Sequence, residues 1–359
     1  MKRILLLVIP AAFATAGHSQ ITTLNSGATI TAIGGVDSAE FFLQKGLTEK
    51  QNGRRLESLK YFEKAATYDA NSRAIVTELA QVYLDLRRYG LARESFKKLV
   101  TLGDESAATY KQLMMLSYQL KQSDDVILYA DKLSKIDPSE KIAFYVGKVH
   151  YDNDNYGDAI RFLTKATTED PTNAEAPYLI ARSYADMSNY KQCIPFFLKA
   201  IELNPAQPYW VYELGLIYYA MNDDKNALKY ILEAGDKGYK RDNDYLENLA
   251  IAYLNVGELD KGVLMLQEIL KRRPSDMNIL SMVAEAYYGK GKFDQSMEYY
   301  DRMLEFDKQN ASALYMIGMC YQKKGGKVNT EKGIRLCDTA IQMDPSLSNL
   351  KQKKMMMGM

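Results

Sequence analysis

Apolar and small side chains return along this chain with a period of about thirty-four residues. Leu79-Ala80-x-x-Tyr83 is echoed by Leu214-Gly215-x-x-Tyr218, Leu249-Ala250-x-x-Tyr253, Val283-Ala284-x-x-Tyr287 and Ile317-Gly318-x-x-Tyr321. A small or medium residue stands twelve places after the Gly/Ala position: Ser58, Ala92, Val126, Ala159, Cys193, Ala227, Gly262 and Ser296. Gly333 joins them once an insertion around 324–329 is allowed. Four residues further on most units carry a larger side chain, namely Phe62, Phe96, Leu163, Phe197, Ile231, Leu266 and Tyr300. Pro138, Pro171, Pro205, Pro274 and Pro345 close five of the units. Small residues let two helices approach, the larger residue fills the space beside them, and Pro stops the second helix. A fixed period of this length predicts an all-α array in which each helix pair stacks on its neighbours.

On these residues the chain resembles the tetratricopeptide-repeat family, whose unit reads W-x2-L-G-x2-Y…A-x3-F…P over two antiparallel helices, called A and B below. The resemblance implies a right-handed α-solenoid of about nine helix-turn-helix repeats. Units begin at Ala39, Arg73, Ala107, Glu140, Ala174, Pro208, Asn243, Met277 and Ala311, and the array spans 39–345. Two units depart from the pattern. Met114 takes the Gly/Ala position of the third, so its helices are expected to sit further apart. His150 takes the Tyr slot of the fourth, where it is expected to be a packed substitute for Tyr.

The ends read differently. Lys2 and Arg3 followed by the apolar run Ile4–Ala16 have the shape of a secretory signal, with cleavage after Ala16 or Ser19. The run is too short to cross a bilayer, and no Cys follows it to take a lipid. Residues 1–19 are therefore expected to be a signal peptide, and the mature protein to be exported, most plausibly to a bacterial periplasm (extracellular or outer-membrane-associated as the alternatives). Residues 20–38, rich in Thr, Gly and Ser, read as a flexible leader. Residues 346–359 read as a capping helix and tail, with Leu347 and Leu350 on one face beside Lys351, Lys353 and Lys354. Met355–Met359 could in principle hold Cu(I) through thioethers, but a frayed terminus is the simpler reading, and no metal or cofactor is assigned.

Charge narrows the function classes. Lys plus Arg number 46 and Asp plus Glu 45, which lacks the basic excess that nucleic acid demands. Only two His exist, His18 in or beside the expected signal and His150, so the mature chain is expected to have no second His for a His-pair metal site. Catalysis ranks below binding, and the chain is read as not an enzyme. Asp152-Asn153-Asp154-Asn155-Tyr156-Gly157 imitates a calcium loop, but Leu163 stands where the bidentate Glu should be, and the segment falls on a turn between helices. Cys193 takes a small slot in a helix crossing, whereas Cys320 and Cys337 lie on facing helices and could pair.

Repeat-defining positions 4, 7, 8 and 11 of each A helix form one stripe, and positions 2, 5, 9 and 12 a second. By the resemblance, the second stripe lines the concave surface and binds partners. Here it carries Lys111, Met115 and Tyr118, then Phe144, Lys148 and Tyr151, then Tyr178 and Arg182, then Tyr209, Tyr212, Leu216 and Tyr219. Aromatic and Arg anchors dominate binding energy, so the expected function is a non-catalytic scaffold that holds a protein or peptide. Its partner is expected to bring acidic and apolar groups to Lys111, Lys148 and Arg182. A glycan-binding or enzyme-accessory role on the same Tyr faces is the alternative. A plainer reading also stays open, in which those tyrosines pack against the next repeat and only rigidify the array.

Overall fold

A computed structural model describes residues 34–348. The expected signal peptide, most of the leader, and the C-terminal tail from residue 349 lie outside the described residues, as do His18 and the Met355–Met359 cluster. Among the described residues the fold is all-α, with no strand. None of their helices is long and apolar enough to cross a membrane.

The chain divides into two compact units at Asp104/Glu105. The first holds α1 (Gly34–Gln51), α2 (Arg55–Tyr68), α3 (Arg73–Asp85) and α4 (Tyr89–Thr101). The second opens with α5 (Ala107–Gln119), α6 (Ser123–Ile136), α7 (Ala143–Asp152), α8 (Tyr156–Glu169), α9 (Glu175–Asp186) and α10 (Tyr190–Leu203). It continues through α11 (Pro208–Ala220), α12 (Asp224–Asp236), α13 (Asn243–Asn255), α14 (Leu259–Arg272), α15 (Met277–Gly289) and α16 (Phe293–Phe306), and ends with α17 (Ala311–Lys324) and α18 (Lys327–Met343). Within each unit, every odd-numbered helix pairs with the one after it, and successive pairs stack. Helix α1 starts at Gly34, so 34–38 are helical where a leader was read. At the other end Pro345–Leu347 is a single 3₁₀ turn, and Leu347 is buried against Ala311, Tyr315 and Ala340.

The pairing follows from the small-residue slots. All nine are buried, from Ser58 to Gly333. At Gly215 a Cβ would meet the backbone nitrogen of Ile231 at 3.0 Å and its side chain at 2.8 Å, so α11 and α12 touch through bare backbone. The third pair solves the problem in reverse. Met114 is buried in α5, and the large residue expected four after Val126 is instead Ala130, also buried. Bulk is exchanged between the helices rather than added, so nothing pushes them apart.

The turn inside each repeat is equally regular. Arg87, Lys121, Asp154, Ser188 and Asn222, together with Gly53, Gly257, Gly291 and Gly325, all occupy the same register position and all have φ between 56° and 89°. This left-handed residue lets the next N–H reach back to the helix, as Asn155 does to the His150 carbonyl at 2.8 Å. Asp154 is thus a turn residue, and the Tyr156 hydroxyl donates to its carboxylate at 2.8 Å. Among the described residues no three His, Cys, Asp or Glu gather as a metal would need. His150 lies flat on Phe162, with ring centroids 5.4 Å apart. Tyr184 on Phe196 and Tyr218 on Tyr230 make the same contact in the next two repeats. His150 is therefore a packing residue. All three cysteines are buried thiols outside any disulfide. Cys320 faces Ser296, while Cys337 donates to the Tyr315 carbonyl, so the two turn to different neighbours.

Candidate functional site

The A helices α5, α7, α9 and α11 carry the second stripe, and the structure binds most of it into the seams between repeats. The basic residues are already paired. Lys111 reaches Glu140 at 2.8 Å, Lys148 contacts Glu175, and Arg182 contacts Glu213 at 2.5 Å. In each case the carboxylate belongs to the following repeat. The expectation that these three cations await an acidic partner is therefore corrected: the array neutralises them itself.

Glu213 is the hub of the densest seam. Its side chain is only 13% exposed. It accepts from Arg182 and from the Tyr178 hydroxyl at 2.7 Å. Burial pushes the Glu213 carboxyl up, and Arg182, Tyr178 and Tyr209 pull it back without cancelling that push. Arg182 shows the other side of the pair: burial alone would lower it, but Glu213, Tyr151, Tyr178 and Asp186 together outweigh that and hold it protonated. The two directions disagree on how willingly the carboxyl ionises. We read the pair as ionised, because the Arg182 guanidinium and the Tyr178 hydroxyl both donate to one carboxylate. Tyr178 also stacks on Trp210 with centroids 4.6 Å apart.

Tyr212 was expected on the open face and is not there. It is 5% exposed, stacked on Tyr239 at 4.2 Å, and its hydroxyl accepts from the Asn248 amide at 2.7 Å. Tyr239 comes from the loop after α12, in the one repeat junction of thirty-five residues. Leu216 is half-buried against the same core. Tyr178, Arg182, Tyr212 and Leu216 thus all make contacts within the packed array.

The remaining stripe residues stay more open. Lys111 and Met115 line a cleft of about 430 Å³ with Ser139, Glu140 and Tyr145. Tyr118 and Phe144 both set their rings edge-on to Tyr145, and Tyr151 reaches across to Asp186 at 3.4 Å. Tyr209 and Tyr219 are 46% and 40% exposed at opposite ends of α11. A larger cleft, about 560 Å³, opens between the loops that precede α9 and α11, lined by Thr172, Glu175, Tyr178, Asn204, Gln207 and Trp210 among others. Of these, only Tyr178 was singled out from the sequence. Trp210 gave a usable signal as the single tryptophan of the chain. Asn204 and Gln207 gave none, since amides are ordinary in turns.

The family model described as tetratricopeptide repeat matches residues 43–107 and 247–320, and the model for subunit 3 of the anaphase-promoting complex (cyclosome) matches 119–200. No curated protein sequence matches the chain significantly. Among solved structures, YrrB, described as a TPR protein with an unusual peptide-binding site, is 22% identical over 53% of this chain and 97% of its own, with a TM-score of 0.43. The MamA protein is 22% identical over 48% of this chain and 93% of its own, with a TM-score of 0.41. A structure of Naa15/Naa10 bound to HypK-THB is 11% identical over 86% of this chain and 64% of its own, with a TM-score of 0.44.

Proposed function

Because the chain belongs to the tetratricopeptide-repeat family, we propose that it is a non-catalytic interaction scaffold that holds a segment of a partner protein on its A-helix face. One observation carries this reading: Tyr209 and Tyr219 stand 46% and 40% exposed on α11, on a stripe whose neighbouring rings are consumed by packing. Large aromatics that the core does not need are the residues from which binding energy is drawn. With Lys111, Lys148 and Arg182 already paired, the partner segment is apolar and uncharged rather than acidic. The basic, apolar N-terminus supports an exported protein working in a bacterial envelope. The glycan alternative would have to use the same two exposed rings, because Tyr178 is stacked on Trp210 and Tyr212 on Tyr239.

The test is capture from envelope extract by the parent and by a Tyr209→Ala/Tyr219→Ala variant. We expect the variant to keep its helical spectrum and lose the captured protein. Equal capture by both would move the binding surface off this face.

A further inference from the structure

We propose that the outer face of α1 and α2 is a docking site for the chain's own segment ahead of α1, residues 20–33, which closes the N-terminal end of the array. The inference concerns a different surface from the scaffold reading and does not depend on it. It begins at one register position. The seventh residue of the A helix is Leu, Val or Ile in every later unit, from Leu79 to Ile317, and it is buried each time. There it joins the core of the preceding B helix: Leu79 clusters with Leu59, Phe62 and Ala65, and Leu214 with Cys193 and Phe197. In the first unit the same position is Lys45, which is exposed. Four residues on, where Tyr is the repeating residue, stands Glu49, paired with Arg54 at 3.2 Å. No described repeat precedes α1, and these two exchanges make its stacking positions polar, as the end of a solenoid requires.

The exchange is incomplete. Phe41 is 53% exposed and Tyr68 45%, and Phe42 joins them into one run of rings. Phe41 meets Phe42 edge-on at 5.3 Å, and Phe42 stacks on Tyr68 at 5.6 Å and on Tyr61 at 6.4 Å. Lys45 lies 4.5 Å over Phe41, and Lys64 lies 5.8 Å from both Phe42 and Tyr68. Neither ammonium has an ion pair among the described residues; each is held against π faces instead. An acidic occupant would have to pull these cations off their rings. An uncharged one with aliphatic side chains covers the rings and offers oxygen acceptors to the remaining ammonium N–H groups.

Residues 20–33 have that composition. They hold no charged side chain, and Ile21, Leu24, Ile30 and Ile33 alternate with Ser and Thr hydroxyls. They are also attached at the right end. Helix α2 runs back along α1 and sets Tyr68, its last residue, beside Phe42, close to where the segment enters at Gly34. From Gly34 to Lys45 the helix rises about 16 Å, which about five extended residues span. Attachment to α1 supplies a high effective concentration, so modest contacts suffice. A second copy offering the same face would set Lys45 and Lys64 against their own counterparts.

The full-length protein would carry p-benzoylphenylalanine in place of Tyr68, and its photo-crosslinks would be mapped by mass spectrometry. We expect a crosslink within one chain to residues 21–33, with a yield unchanged over about a hundredfold range of protein concentration. Ile30→Asp/Ile33→Asp should abolish it and speed amide exchange in α1 and α2 by about tenfold or more, with α13–α16 as in the parent. Both substitutions lie outside the repeats, and an unchanged helical spectrum checks that the array still folds. As a second variant, Phe41→Ser removes part of the face itself. Adding Ile30→Asp/Ile33→Asp to it should then change α1 and α2 exchange far less than in the parent. A crosslink only to a second chain, rising with concentration, would overturn the assignment in favour of self-association. Sedimentation with phosphatidylglycerol vesicles that is lost in Lys45→Gln/Lys64→Gln, with no crosslink to 21–33, would overturn it in favour of a lipid surface. Exchange in α1 and α2 untouched by Ile30→Asp/Ile33→Asp would overturn it outright.

Discussion

Inside a repeat, the two helices meet backbone to backbone across a small residue; between repeats, ion pairs and stacked rings are added to a continuous apolar core. The first contact is the same nine times, with Ser, Ala, Val, Cys or Gly buried at one register position. The second is different at each seam. Lys111 finds its carboxylate 29 residues on, Lys148 finds one 27 on, and Arg182 finds one 31 on. Steric fit at the crossing imposes a single solution, because only a small residue clears the facing backbone. A long flexible Lys or Arg can reach a carboxylate at several offsets, so each seam settles its own pairing.

The largest expected effects lie inside the repeats. Leu214 and Phe197 are fully buried. Leu214→Ala or Phe197→Ala should cost about 3–5 kcal/mol in chemical denaturation. Gly215→Val should be no milder, since its new Cβ would press on the Ile231 backbone as well as its side chain. If these variants unfold at the parent's denaturant midpoint, the crossings do not carry the fold. Tyr212→Ala sharpens the comparison, because Tyr212 belongs to the seam by register but is as buried as the interior. It should cost about 2–4 kcal/mol, far more than an exposed residue on the same stripe.

Next comes the Glu213 hub. Removing the carboxylate strands Arg182 and the Tyr178 hydroxyl, and Arg182 retains partial access to water. Glu213→Ala should therefore cost about 1–3 kcal/mol, discounted from the value for a fully buried pair. Glu213→Gln still accepts from Tyr178 and avoids the burial cost of the charge, so it should be the milder of the two. The reverse order would mean that the charge, rather than hydrogen-bond acceptance, holds the seam.

The same contrast explains how much could be read from the sequence. The crossings, the turn position and the role of His150 recur in register, so aligning repeats exposes them. Met114 looked like a flaw because it was read alone; Ala130, on the partner helix, completes the exchange of bulk. The stripe positions of α5 to α11 were also in register, yet their burial was not legible. Whether a Tyr at position 5 is open depends on what the next repeat puts opposite it. Tyr212 meets Tyr239, a ring from the loop after α12 rather than from a repeating position. Glu213, Asn204 and Gln207 fall outside the repeating positions altogether.

A smaller effect, of opposite sign, is expected at the turns. Lys121 sits at φ 56°, where Gly53, Gly257 and Gly291 occupy the same place in other repeats. A non-glycine residue there costs about 1–2 kcal/mol, and glycine returns part of that gain through its freer unfolded chain. Lys121→Gly should raise stability by about 0.5–1 kcal/mol, visible as a later denaturation midpoint. A loss would mean that the Lys121 side chain contributes more than its backbone costs.

The smallest expected effect on stability is also the most informative about the seams. Tyr209 and Tyr219 lie on the same helix and the same stripe as Tyr212, but both keep over a third of their surface in water. Little apolar area would be returned to solvent on truncation, so Tyr219→Ala should change stability by no more than about 0.5 kcal/mol. Tyr209→Ala gives up a ring contact with Tyr239, centroids 6.3 Å apart, and should cost about 0.5–1 kcal/mol. Set beside Tyr212→Ala, the three variants separate burial from register on a single helix. Equal losses for all three would show that the stripe works as one structural seam, and a partner would then have to be sought away from α11.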